Sequence, residues 1–134
     1  MGYETSLQLV NVKIKDGSVP VVTKAIVTGK GKGLAKIRYF FSVISLDNTG
    51  FLHLLNNDIC STPYGINKED GTALALDGKW YDVEDFADWL KLHAEKGGRI
   101  VLHSAEGDGL AWGWEFDGKG GMENFQLDHV GKWR

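Results

Sequence analysis

The sequence predicts an α+β domain, in which a mostly antiparallel sheet ends in a C-terminal three-stranded meander and helices pack on one face. Two patterns carry this prediction: three apolar segments separated by glycine-rich turns in the last third of the chain, and a capped amphipathic helix before them. The 134 residues are 43% hydrophobic and 25% charged, which is ordinary globular composition for a single domain over residues 1–134.

The first two elements are predicted to be a strand and a helix. Residues 6–15 alternate between apolar and polar side chains, which is typical of a half-buried strand. The expected buried side holds Val10, Val12 and Ile14. Residues 19–28 are rich in β-branched side chains, which favours a strand. Ser18 and Pro20 at their start and Gly29 after their end favour a helix, and we prefer the helix.

Residues 34–45 also fit both a helix and a strand. Their alternation suits a strand. The helical interpretation rests on one apolar stripe, which comprises Leu34, Ile37, Phe41 and Ile44. We prefer a helix, followed by a turn at residues 47–50 and a short strand at residues 51–55. Residues 56–79 look irregular, with one short strand at residues 72–76.

The strongest local signal predicts a helix over residues 83–95. Asp82 is the expected N-cap, and Tyr81 and Phe86 are spaced as a hydrophobic staple. Gly97 and the glycine after it are expected to stop the helix. The apolar face comprises Val83, Phe86, Ala87, Leu90 and Ala94.

The C-terminal third is predicted to form the antiparallel meander. Its strands lie at residues 99–106, 110–117 and 122–130. A three-residue loop at residues 107–109 pairs Leu102 with Trp114, because a two-residue loop would mix the apolar and polar faces. The following turn pairs Trp114 with Phe125. The helix over residues 83–95 is then expected to cover an aromatic face made of Trp112, Trp114, Phe116 and Phe125.

Charge and cysteine content narrow the function classes. The net charge of −3 favours neither nucleic acid nor a membrane as the partner. Residues 1–46 carry seven basic and two acidic residues, whereas residues 47–134 carry eight basic and sixteen acidic ones. Cys60 is the single cysteine, so an intramolecular disulfide is excluded and a reducing cytoplasm is the expected location. No apolar run approaches the roughly 20 residues that span a bilayer.

Several segments resemble a set of small uncharacterised bacterial proteins of similar length. The similarity is strongest over residues 78–120 and includes the runs GKWY, EGDG and AWGWEFDGKG. That group has no assigned activity, ligand or site, so the resemblance implies a stand-alone cytoplasmic domain and transfers no functional residue. Small proteins of this kind are often cargo of mobile genetic elements, which is an association and not a mechanism.

The acid-rich hairpin is the first candidate site. Glu106 and Asp108 stand at its predicted tip, and clustered carboxylates are ligands for hard cations. The alternative is a solvated turn, because two carboxylates without calcium-loop spacing make an incomplete ligand set. We therefore expect no metal and no cofactor. Asp117 is expected to pair across the strands with Arg99.

His103 and Glu115 form the second candidate, a catalytic one. The predicted register sets His103 opposite Gly113 and beside Glu115, where a carboxylate could hold the imidazole as a general base. No nucleophile accompanies them, because Ser104 points to the opposite face of the sheet. The alternative is a structural histidine in the sheet with no catalytic role.

A basic segment, residues 24–38, is the third candidate. It begins at Lys24, contains five basic residues and has no acidic one. Lys30 and Lys32 alternate with glycines, whose N–H groups can approach a phosphate, and Arg38 ends the segment. The spacing is not that of a P-loop. The basic charge of the segment instead predicts contact with a nucleic-acid backbone. The alternative is a flexible loop between two elements.

Two apolar side chains indicate a protein partner. Leu92 lies on the polar side of the predicted helix, where a partner would cover it. Trp133 lies outside the predicted aromatic face and could seal a homodimer contact. Because the sequence shows no paired catalytic constellation, we favour a non-catalytic interaction module that binds another protein or itself. The alternatives are a nucleic-acid-backbone binder through residues 24–38 and a small enzyme or metal site at the acidic hairpin.

Overall fold

The protein has an α+β fold with two antiparallel sheets, seen in a computed structural model that describes residues 5–31, 33–55, 72–73, 75–104 and 110–127. The strands are β1 (Thr5–Val10), β2 (Ile44–Leu46), β3 (Leu52–Leu55), β4 (Thr72–Ala73), β5 (Leu76–Gly78), β6 (Arg99–Ser104), β7 (Ala111–Phe116) and β8 (Met122–Leu127). The helices are α1 (Val19–Thr28) and α2 (Val83–Leu90), with 3-10 helices at Asp16–Ser18 and Ala35–Ser42.

The larger sheet has the strand order β5-β1-β6-β7-β8, and its last three strands form the predicted meander. The smaller sheet has the order β2-β3-β4. One face of the larger sheet is buried and presents Leu7, Ile100, Leu102, Trp114 and Phe116. These side chains share one hydrophobic cluster with both α-helices, the second 3-10 helix and the smaller sheet. The prediction of helices packed on one face of the sheet is therefore confirmed.

β1 leaves the larger sheet at Asn11, which has a left-handed φ of 51°. Beyond this bend, backbone hydrogen bonds attach Val12 and Ile14 to β3 and to the turn before it. Both side chains are buried, as predicted. The bend changes the phase of the alternation, so Val10 lies on the outer face of the larger sheet and packs against a second, smaller cluster. Placing Val10 on the same side as Val12 was therefore wrong.

The helix preferred over residues 19–28 is confirmed as α1. Gly29 ends it with a φ of 63°, and the N–H of Gly29 donates to the carbonyl of Ala25 at 2.8 Å. Ser18 makes no side-chain capping hydrogen bond, because its Oγ instead lies 3.0 Å from Nδ1 of His93.

The second ambiguous segment begins as a 3-10 helix, Ala35–Ser42, and continues directly into β2. The predicted apolar stripe is buried along its whole length, at Leu34, Ile37, Phe41 and Ile44. Its last member belongs to β2, so the stripe crosses a boundary between helix and strand. The strand predicted at residues 51–55 is β3, and two short strands, β4 and β5, replace the single one predicted at residues 72–76.

α2 is shorter than predicted, because it ends at Leu90 and turns lead on to Ala94. Asp82 stands at the N-cap position with a φ of 62° and makes no capping hydrogen bond, since its carboxylate lies 3.7 Å from Nζ of Lys36. Tyr81 is 59% exposed, so the expected staple is also wrong. The apolar face is confirmed by the burial of Phe86, Ala87, Leu90 and Ala94.

The register between β6 and β7 differs from the prediction by two residues. Leu102 lies opposite Trp112, not Trp114. The N–H of Ser104 donates to the carbonyl of Leu110 at 2.9 Å, which fixes this register at the end of the strand pair. A shift of two residues leaves every side chain on its predicted face.

The register between β7 and β8 differs by one residue. Trp114 lies opposite Asn124, which moves Phe125 to the outer face and away from the other aromatic residues. The turn explains the shift: Oδ1 of Asp117 accepts the N–H groups of Lys119 and Gly121 at 2.7 and 2.9 Å. These bonds lower the pKa of the Asp117 carboxyl. The predicted pairing of Asp117 with Arg99 is also wrong, because the register between β6 and β7 sets Arg99 opposite Glu115.

We predict that Gly113→Ala strongly destabilises the fold. A Cβ at Gly113 would lie 1.9 Å from the carbonyl oxygen of Ile100, so β6 and β7 would have to separate. The expected loss is about 3 kcal/mol or more in the free energy of unfolding. The control is Gly17→Ala, where a Cβ meets no atom within 4 Å. Urea unfolding compares the variants, and equal midpoints would contradict the described register.

Candidate functional site

A groove of about 320 Å³ lies beside α1. Its lining comprises Val21, Lys24 and Ala25 of α1, Lys30 and Gly31 of the following loop, Leu34, and Trp89 of α2. We call it the α1–Trp89 groove. Four of these side chains are apolar, and the two charged ones are both lysines. The groove thus combines an apolar wall with positive charge.

The wall and rim of this groove follow from helix spacing. Val21, Lys24 and Ala25 stand at positions i, i+3 and i+4, so they share one face of α1. Ala25 and Leu34 are buried and form the floor, whereas Val21 is 50% exposed at the rim. Gly31 approaches the floor closely, since a Cβ there would lie 2.6 Å from Cδ1 of Leu34.

The end of α1 fixes the loop that carries the second lysine. Oγ1 of Thr28 donates to the carbonyl of Lys24 at 2.7 Å and accepts the N–H of Lys30 at 3.1 Å. Nε of Arg38 donates to the carbonyl of Gly29 at 3.2 Å. The backbone of Lys30 is therefore held against the helix end, and Arg38 has a structural role there.

The positive charge of residues 24–38 is divided between two roles. Lys36 Nζ lies 3.2 Å from Asp85 and 3.7 Å from Asp82. Hydrogen bonding to Asp85 and the charges of both carboxylates raise the pKa of Lys36. Within the described residues, by contrast, neither Lys24 nor Lys30 has a carboxylate within 4 Å. Of the described lysines in this segment, the two in the groove are therefore the ones that a ligand can use.

Trp89 forms a fixed wall of the groove. Its ring meets Phe41 edge to face with the centroids 5.1 Å apart, and the ring of His93 lies 4.9 Å away. Burial and the nearby charge of Lys15 lower the pKa of His93, so this neighbour is neutral at neutral pH. The indole is therefore held by neighbouring rings and does not stand free as a stacking platform.

A second groove, of about 470 Å³, lies on the opposite side of α1, and we call it the α1–β2 groove. Its lining comprises Val19, Thr23, Ile26 and Val27 of α1, with Ser45, Leu46, Asp47 and Asn48 of β2 and the following turn. Asp47 organises this turn, because its Oδ1 accepts the N–H groups of Thr49 and Phe51 at 2.8 and 3.0 Å.

The other oxygen of Asp47 faces a histidine. Its Oδ2 lies 2.6 Å from Nε2 of His53. The hydrogen bonds from His53 and Thr49, with smaller contributions from the backbone N–H groups, hold the pKa of the Asp47 carboxyl well below its ordinary value. The carboxylate is therefore ionised at neutral pH and has both oxygens engaged.

The structure does not bring the predicted catalytic pair together. Glu115 lies opposite Arg99 and accepts a hydrogen bond from its Nε at 2.7 Å. His103 lies opposite Ala111, and its Nε2 is 3.0 Å from Oε1 of Gln8. Burial lowers the pKa of His103. Placing His103 beside Glu115 was wrong because the register is shifted by two residues.

Several predicted site residues lie outside the described residues: Lys32, Glu106, Asp108 and Trp133. Their roles stay predictions. Leu92 lies on the turn after α2 and is 54% exposed, as predicted. Among the described side chains, no group of three or more His, Cys, Asp and Glu residues could hold a metal ion. Across the described ranges, no helix is long and apolar enough to cross a membrane.

Comparison with known proteins adds no assignment. No family model, no curated protein and no solved structure matches the chain. The resemblance to small uncharacterised bacterial proteins therefore stays a prediction. Function is therefore inferred from the geometry of the two grooves.

Sequence reasoning missed the residues that complete both grooves. It gave Trp89 no role, although Val21 and Lys24, which share one face of the predicted helix, indicate a basic, apolar surface. It placed Ser45 at the end of a predicted helix and His53 in a short strand, and no local signal indicated that the two residues pair.

We predict that Asp47→Asn lowers the free energy of unfolding at neutral pH, because an amide is a weaker acceptor than a carboxylate. A carboxyl whose pKa is below its ordinary 3.8 in the folded state contributes stability above that value and loses it as the pH falls through the folded pKa. The gap between wild type and variant should persist from about pH 5 to 7 and narrow below about pH 4.

Urea unfolding at a series of pH values measures this gap. Asp77→Asn is the control, because Asp77 accepts a hydrogen bond from Ser6 on the other sheet. A gap for Asp47→Asn that stays constant down to about pH 2 would contradict the role given to this carboxylate.

Proposed function

We propose that the α1–Trp89 groove makes this protein an interaction module, which binds an acidic, apolar segment of another protein there without catalysis. The observation that carries the proposal is the pairing of an apolar wall with two lysines that have no carboxylate partner among the described residues. An aliphatic or aromatic side chain of the partner would pack against the apolar wall. A carboxylate next to it would meet Lys24 and Lys30.

The size and charge of the groove suit one or two side chains of a partner. Its volume of about 320 Å³ is at the small end of the range for ligand sites. Covering the exposed part of Val21 and of the indole contributes about 25 cal/mol for each Å² of apolar surface removed from water. The lysines contribute chiefly specificity and the rate of association.

The same charges favour a protein segment over a nucleic-acid backbone. Affinity for nucleic acid rises with the number of phosphates that basic residues neutralise. Lys36 is paired with two carboxylates and Arg38 bonds to a backbone carbonyl, which leaves Lys24 and Lys30 among the basic residues of this segment that the structure describes. The net charge of −3 also opposes a polyanion.

Two further expectations stay part of the proposal. Leu92, exposed on the turn after α2, offers a contact for a second copy of the chain. The single cysteine fits a reducing compartment, so we propose the cytoplasm as the location.

A peptide array tests the proposed function. Its peptides combine Asp or Glu with Leu, Phe or Trp, and a matched set carries Asn or Gln in place of the acids. We expect retention of the acidic set only, with binding that weakens between about 50 and 200 mM salt because screening shortens the reach of the charges. The double variant Lys24→Ala/Lys30→Ala should lower affinity about tenfold, which is about 1.4 kcal/mol.

Lys36→Ala is the matched control, because it removes the same charge from the same segment at a site already paired with Asp82 and Asp85. Equal losses in both variants would mean a general charge effect and would contradict the groove. Binding of a single-stranded oligodeoxythymidine, with no peptide retained, would replace the proposal with a nucleic-acid function.

A further inference from the structure

The α1–β2 groove carries a second inference, which goes beyond the interaction function. It shares no lining residue with the α1–Trp89 groove, because different faces of α1 contribute to each. Its helix side is mostly aliphatic, and its strand side is polar. On that polar side, Ser45, Asp47 and Asn48 lie within four consecutive residues.

The hydrogen bond between Asp47 and His53 fixes the tautomer of the ring. The carboxylate of Asp47 is ionised and can only accept, so Nε2 of His53 must carry the proton of the 2.6 Å bond. A neutral His53 then has its lone pair on Nδ1. That nitrogen is the one able to take a proton from a neighbour.

The strand register supplies the neighbour. Ser45 and His53 are direct partners across the antiparallel β2–β3 pair, so their side chains share one face with Cβ atoms about 5 Å apart. Asp47 follows the end of β2, and the contact of its carboxylate with Nε2 of His53 places it on the same side. Ser45 and His53 are not hydrogen-bonded in this structure. Such bonds are often long before substrate binds.

We propose that the polar edge of the α1–β2 groove, with His53 of β3 beside it, is an acyl-transfer site for carboxylic esters with a short aliphatic acyl chain. Ser45 is the nucleophile, His53 is the general base, and Asp47 is the positioning residue that orients the imidazole. The side-chain amide of Asn48 is the donor for the oxyanion. The acyl chain lies against Val19, Ile26 and Val27.

The chemical steps balance with water as the only co-reactant. Oγ of Ser45 bonds to the ester carbonyl carbon while its proton moves to Nδ1 of His53, and the carbonyl π pair moves onto oxygen. Collapse breaks the bond to the leaving alkoxide, which takes the proton from Nδ1 and departs as the alcohol. Water then attacks the acyl-serine in the same way and releases the carboxylic acid.

Two assays test this proposal on the purified full chain. The first is labelling with an alkyl fluorophosphonate, in which Oγ bonds to phosphorus and fluoride leaves, followed by mass mapping. The second is hydrolysis of p-nitrophenyl butyrate. We expect the adduct on Ser45, and a loss of at least about 100-fold in rate for Ser45→Ala and for His53→Ala. Asn48→Ala should lower kcat about 100-fold with a smaller change in KM.

Asp47, the positioning residue, and Ser6, the control, are tested with separate variants. Asp47→Asn should lower kcat per folded molecule, with the folded fraction measured by circular dichroism, whereas a merely structural role would lower only the folded fraction. Ser6→Ala removes a serine hydroxyl bonded to Asp77 on the other sheet and should leave the rate unchanged. No adduct on Ser45, or equal rates for wild type and a folded Ser45→Ala variant, would overturn the proposal and leave the peptide-binding function untouched.

Discussion

The α1–Trp89 groove depends on one buried contact, the stack of Phe40 on Phe86. Their ring centroids lie 4.4 Å apart with 3° between the planes, and neither side chain is exposed to solvent. The stack ties the 3-10 helix Ala35–Ser42 to α2. Because Phe41 and Trp89 follow these rings on the same two elements, they meet edge to face at 5.1 Å and fix the wall of the groove. A pair of this kind contributes about 0.5–1.5 kcal/mol beyond its buried area.

The elements of the fold could be predicted from sequence because their signals act over a few residues. Gly29 ends α1 with a left-handed φ, as its position after the apolar pattern indicated. Strand register depends on turn geometry, which the sequence specifies less clearly. Asp117 closes its turn with side-chain hydrogen bonds, and the resulting shift of one residue carries Phe125 to the outer face. The left-handed φ of Asn11 has a similar effect, because it changes which side chains of the N-terminal segment face the core.

The candidate sites were less predictable, because they join residues from distant parts of the chain. The sequence located positive charge in residues 24–38 but did not show that Asp82 and Asp85 would engage Lys36 and leave Lys24 accessible. It grouped His103 with Glu115 through a register that the structure replaces. It left His53 without a role, although β2–β3 pairing sets this histidine beside a serine and a carboxylate. α1 thus separates a basic, apolar groove from a groove with a polar, hydrogen-bonded side.

The aromatic contacts hold the α1–Trp89 groove open and preformed in the free protein. Nuclear Overhauser measurements on protein with labelled aromatic residues test it most directly. We expect strong cross-peaks between the rings of Phe40 and Phe86, and between those of Phe41 and Trp89. A well-dispersed spectrum that lacks both sets of cross-peaks would contradict it, because the wall of the groove would then have no fixed support.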